Sequence, residues 1–143
     1  MEDKELKTKH ILNKDDNLLN DELLTFDLPT FIEKMKHSSA WKKGAVSTMI
    51  LLKRPDKQIV LTALHEETEI KSFQSNISIT IQVIEGELKF QTTNQTVTLE
   101  KGQLMTIREK IKYSLTTESE AIILLTSVVE MKEPEEDQIP WFL

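Results

Sequence analysis

Residues 83–107 read VIEGELKFQTTNQTVTLEKGQLMTI. Three short runs, 86–92, 95–100 and 103–108, alternate apolar with polar residues at a period of two, the mark of strands buried on one face. Glu85-Gly86, the triplet Thr93–Gln95 and Lys101-Gly102 interrupt the runs with residues that suit turns. Outward from this stretch the same grammar repeats. Segments 46–53 (VSTMILLK) and 58–64 (QIVLTAL) flank the turn sequence RPDK, and 69–73, 77–84, 111–116 and 120–129 continue the series. Many short, evenly spaced strands predict an all-β sandwich or barrel over 46–129.

The flanks read differently. Residues 1–26 are polar and charged, with leucines only sparsely placed, and are expected to form an arm. A helix is predicted over 27–44: Asp27 stands as a cap, Pro29 fits the first turn, and Leu28, Phe31, Ile32 and Met35 share one face. Ser38 and Ser39 interrupt it, Trp41 follows in a short continuation, and Gly44 is a natural stop. After the strands, 130–137 (EMKEPEED) is an acidic segment, and the chain ends on the apolar cluster Ile139, Pro140, Trp141, Phe142 and Leu143.

Composition narrows the functional classes. The 143 residues carry 24 Asp and Glu against 18 Lys and Arg, and this net charge of -6 opposes nucleic-acid binding, which needs a cationic surface. With no cysteine, disulfides, thiolate nucleophiles and Cys-based zinc sites are excluded. The charged start MEDKELKTKH is no secretory signal, and the longest apolar run, Ile122–Leu125, is too short to span a bilayer. The expectation is a cytoplasmic protein with no membrane segment.

The central stretch resembles the middle of a cupin. The first cupin signature runs from a glycine through His-x-His and Glu to a closing glycine. The second runs from a glycine through Pro-x-Gly and His to Asn. Gly86 would close the first and Gly102 open the second, with 15 residues between them, as in compact members of the family. The resemblance covers about 46–129 and implies a cupin-like double-stranded β-helix barrel of jelly-roll type, with the helix packed outside it. Counted from these glycines, the four metal-ligand positions fall on Phe73, Ser75, Ile79 and Tyr113, and the opening glycine on Glu67. The Pro-x-Gly falls on Arg108 and Lys110, and the Asn on Thr117. Metal binding in the family needs imidazoles and a carboxylate converging on one cation. Phenylalanine and isoleucine offer none, so neither a metal nor any other cofactor is expected.

The candidate site residues follow from the same count. Alternation places Phe73, Ile79, Ile81 and Val83 on the inward face, joined by Leu88 or Phe90 and by Met105 or Leu104. Phe73, Ser75, Ile79, Ile81 and Tyr113 are therefore the expected lining of an apolar lumen, either filled by its own side chains or holding a small ligand. Tyr113 is either a hydrogen-bond donor to a ligand or a core tyrosine tied to backbone or water. His65, beside Glu66 and Glu67, is either half of a His–carboxylate pair for proton transfer or a turn histidine among surface carboxylates. His10 and His37 are expected in solvent, and the Glu/Lys-rich turns at 66–71 and 108–112 are expected to be solvated rims.

The resulting functional expectation is a metal-free barrel that binds a small apolar or amphipathic molecule, or serves as an interaction module. The alternative is a metal-independent isomerase or lyase with Tyr113 as proton donor and His65 as base. A homodimer is expected as well, because strand 120–129 is apolar on both faces and the IPWFL ending calls for a cover.

Overall fold

A computed structural model describes residues 9–12, 22–44, 46–128 and 141–142. The segment 130–137 and Ile139, Pro140 and Leu143 lie outside the described residues. In chain order the elements are β1 (Lys9–Leu12), α1 (Leu28–Lys36), α2 (Ser39–Lys42), β2 (Ser47–Arg54), β3 (Lys57–Leu64) and β4 (Glu69–Gln74). They continue as β5 (Ser78–Glu85), β6 (Glu87–Gln91), β7 (Thr96–Glu100), β8 (Leu104–Ile107), β9 (Lys112–Thr116) and β10 (Ala121–Val128). Each expected strand is present within a residue or two of its expected bounds. Strand β1 is an addition: it pairs parallel to Ser47–Ile50 inside the segment whose polar composition suggested only an arm.

The strands form two sheets, ordered β1-β2-β3-β10-β5-β8 and β4-β9-β6-β7. From β3 onward the chain passes back and forth between them, with only β6 and β7 consecutive in one sheet, and apart from β1–β2 every pairing is antiparallel. Period-two alternation decides which residues face the space between the sheets. Strand β5 shows it plainly: Ile79, Ile81 and Val83 are buried, while Thr80, Gln82 and Ile84 are less so. With Leu88, Phe90, Leu115, Ile123 and Leu125 they make the barrel core.

Two corners depend on backbone conformation. Arg54 pairs with Lys57, which leaves Pro55-Asp56 as a two-residue hairpin loop between β2 and β3. At the β5–β6 crossover Gly86 has φ +84°, and a Cβ there would collide with the Glu120 carbonyl oxygen and come within 2.9 Å of Ala121 Cα. Only glycine satisfies both the positive φ and the close approach.

Helices α1 and α2 form a second layer on the outer face of β2, β3 and β10. Ile32, Met35 and Trp41 pack against Met49, Leu51, Leu61, Ala63 and Ile122. Asp27 occupies the N-cap position but makes no capping bond to the backbone; its carboxylate accepts the Thr30 hydroxyl at 2.9 Å instead. Ser38 does cap α2, its hydroxyl accepting the Trp41 N–H at 3.2 Å. The helical layer explains the two-sided apolar character of β10. Ile122 and Leu124 lie under the helices while Ala121, Ile123 and Leu125 face the core. Much of the second face is thus covered from within the chain; Val128 remains exposed.

Candidate functional site

Tyr113 enters the core from β9, opposite Phe73 of β4, where a bulge shifts the register between Tyr113 and Leu115. It is 2% exposed, with the Phe73 ring edge-on at 5.9 Å and the Phe90 ring at 6.2 Å. The Trp141 indole N–H donates to the Tyr113 hydroxyl oxygen at 2.8 Å, and Phe142 beside it is 1% exposed in the barrel core. Trp141 and Phe142 therefore fold back onto their own barrel. Burial pushes the Tyr113 phenol up to about 12, and the indole hydrogen bond opposes that rise only in part.

A cavity of about 400 Å³ opens at the barrel end where the 92–95 and 108–112 loops approach each other. Tyr113, Phe90, Val97, Met105 and Ile107 give it an apolar wall; Thr92, Asn94, Gln95 and Thr106 add polar groups; Arg108, Lys110 and Lys112 stand along it. No His, Asp or Glu is among its lining residues as far as the described residues go.

Of the five residues expected to line the lumen, Tyr113 alone lines this cavity. Ile79 and Ile81 are 1% and 0% exposed and pack with other core side chains. Phe73 packs against Tyr113, and the Ser75 hydroxyl accepts the Ile77 N–H at 3.1 Å. The apolar side chains of the two sheets, with Phe142, occupy the middle of the barrel, so the open space lies at its rim. The 108–112 turn, read from sequence as an ordinary solvated edge, borders the cavity. The signal that could have marked it was the three cations of REKIK in an acidic chain.

His65 and Tyr113 are not brought together. The His65 ring stacks on Trp41 at 3.5 Å between centroids, and its Nε2–H donates to the Trp41 carbonyl at 2.6 Å. That places it with the helical layer, whereas Tyr113 belongs to the barrel interior. No pairing of His65 with Glu66 or Glu67 is found among the described residues. The alternative acid–base couple of Tyr113 and His65 is therefore corrected: His65 anchors α2.

Cupins hold metal at the positions occupied here by Phe73, Ser75, Ile79 and Tyr113. Two of these side chains have no donor atom, Ser75 is engaged with backbone, and burial keeps the Tyr113 phenol protonated. Among the described residues there is no group of three or more His, Asp or Glu that could hold an ion. The residues do not fit a metal.

The backbone follows the two signatures where the side chains do not. The four glycine positions of the two signatures fall on Glu67, Gly86, Gly102 and Lys110, and all four are left-handed, with φ of 59°, 84°, 86° and 66°. Glu67 and Lys110 hold a conformation that disfavours a Cβ, which fixes the register of the resemblance.

No family model matches the chain, and no curated protein matches it in sequence. Solved structures do match. A cupin superfamily protein from Desulfitobacterium hafniense is similar with a TM-score of 0.56 at 13% identity, over 59% of this chain and 78% of that one. A conserved Streptococcus pyogenes protein of unknown function gives 0.56 at 20% identity, over 65% and 78%. Salicylate 1,2-dioxygenase from Pseudaminobacter salicylatoxidans gives 0.63 at 16% identity, over 72% of this chain and 34% of that one. The fold is that of the cupin superfamily. Among the described residues no helix is long and apolar enough to cross a membrane.

Proposed function

We propose that this chain is a metal-free cupin-fold binding protein whose ligand, a small amphipathic molecule, enters the rim cavity above Tyr113. The observation that carries this reading is the cavity itself. Its volume of about 400 Å³ suits a small organic molecule, with apolar side chains on the wall and polar groups at the mouth. The Tyr113 oxygen accepts from Trp141, while its own proton has no acceptor among the described residues and is available to a ligand oxygen. No specific observation favours catalysis: beside Tyr113 the described lining holds Arg108, Lys110 and Lys112 but no His, Asp or Glu to take up a proton.

The test uses N-phenyl-1-naphthylamine, a neutral apolar fluorophore that brightens on leaving water. The wild-type protein should enhance its emission, and Val97→Trp, which fills the apolar wall, should abolish the enhancement without lowering the melting temperature. No enhancement by the wild type, or equal enhancement by a folded Val97→Trp protein, would end this reading.

A further inference from the structure

The cavity rim differs in charge from the rest of the molecule. The chain carries a net charge of -6, yet Arg108, Lys110 and Lys112 border the cavity and, among the described residues, no carboxylate does. Among the described residues none of the three meets an acidic partner. Clefts lined by one sign of charge concentrate the opposite sign.

A second observation is independent of charge counting. Lys110 is left-handed at φ 66°, in the position where the cupin signature has a glycine. The turn is pinned there: the Lys110 N–H donates to the Ser75 carbonyl at 2.6 Å, and its carbonyl accepts the Gln74 amide at 3.0 Å. A residue with a Cβ is strained in that conformation, and the turn that imposes it holds Lys110 at the cavity edge. Arg108 stands where the same signature has a proline. Cations thus stand at two positions where the signature has backbone-shaping residues, and the turn at Lys110 is left-handed as a glycine there would be.

We infer that the ligand is an anionic amphipath, a small carboxylate whose charged group meets Arg108, Lys110 and Lys112 while its apolar body lies over Val97, Met105 and Ile107. This inference rests on the binding reading above and adds the charge of the ligand to it. The buried Tyr113 hydroxyl contributes a neutral donor deeper in the cavity, where a second oxygen of the ligand would sit.

Calorimetric titration with octanoate, octanol and octylamine separates the two levels, because the three probes share a tail and differ in charge. Octanoate should bind about tenfold more tightly than octanol, with octylamine weakest, and only the octanoate affinity should fall as salt is raised. The double variant Arg108→Gln, Lys112→Gln should bring octanoate to within about threefold of octanol, the remainder being the Lys110 contribution, and leave octanol unchanged. Lys110→Gly should bind octanoate about threefold more weakly while raising the melting temperature, since it removes cation and strain together. Equal binding of octanoate and octanol by the wild type, or an unaltered octanoate affinity in the double variant, would overturn the inference and leave the pocket standing. Failure of all three probes to bind at millimolar concentration would overturn both.

Discussion

Replacing Phe142 with alanine tests whether the end of the chain belongs to its own barrel. Phe142 is 1% exposed within the core cluster, and the Trp141 ring meets it edge-on at 5.3 Å. Truncating a fully buried phenylalanine removes its transfer free energy and leaves a cavity, together about 3–5 kcal/mol. A domain of this size has a total stability of roughly 5–15 kcal/mol, so the loss would be a large fraction of it. In urea, with a slope of roughly 1.5–2 kcal/mol per molar, the unfolding midpoint should fall by about 2 M. Tryptophan emission follows the transition, with Trp141 as a reporter in the affected region. A midpoint within about 0.3 M of wild type would refute the docking. The same assay addresses the expected homodimer. If the aromatic pair instead docked on a second copy, the wild-type midpoint would rise with protein concentration. Trp141 and Phe142 fold back on Tyr113, so a midpoint that rises with concentration would place the expected homodimer on another surface, and an unchanging one would end that expectation.

Tyr113 is the chain's one tyrosine, so absorbance at 295 nm reads it without ambiguity. Its ionisation should fall near pH 12 in the folded protein against an ordinary value of 10.0. Because the folded state holds the phenolic proton more tightly, the associated stability is fully present below pH 10. It is lost as pH rises toward 12, by roughly 2–3 kcal/mol, and a midpoint near 10 in folded protein would contradict the burial. Gly86→Ala should destabilise by about 3 kcal/mol or more through its collision with Glu120. Gly102→Ala, with open space around its Cβ, should lose only about 1 kcal/mol, and equal losses would discount the close approach. The Thr48 and Thr62 hydroxyls are buried without a hydrogen-bond partner among the described residues, so Thr62→Val should be neutral or stabilising by about 1 kcal/mol; a clear loss would reveal a partner, such as a buried water. Elemental analysis after a chelator wash should find no stoichiometric transition metal, and one equivalent of zinc, iron, manganese or nickel would refute the metal-free reading.

Much of the fold was legible because its signals are local. Alternation in 77–84 and 111–116 follows from the two-residue repeat of a strand, and it correctly sent Ile79 and Tyr113 inward and Lys112 outward. Leu28, Phe31, Ile32 and Met35 share a face because of the helical repeat, and all four pack in the outer layer. Gly86 and Gly102 announced two of the left-handed turns. Glu67 and Lys110 could not, since neither residue type signals a positive φ, and their conformation is imposed by the surrounding turns.

The site was less legible, because its determinants are distant in sequence or depend on volume. Alternation states which way Ile79 and Ile81 point, but not whether the space before them is empty; that depends on how completely the facing side chains fill it. They fill it, so the cavity moved to the rim and took Arg108, Lys110 and Lys112 with it. His65 found its partner in Trp41, 24 residues away, and Tyr113 in Trp141, 28 residues away. No repeat links such positions; they meet because two sheets and a helical layer close on each other. The sequence by itself thus determined the strands, their inward faces and which side chains stand at the four counted positions, each of which depends on the backbone repeat or on residue identity alone. Only the tertiary structure decided where the open space lies and which groups border it, because that follows from the packing of side chains brought together across the whole barrel.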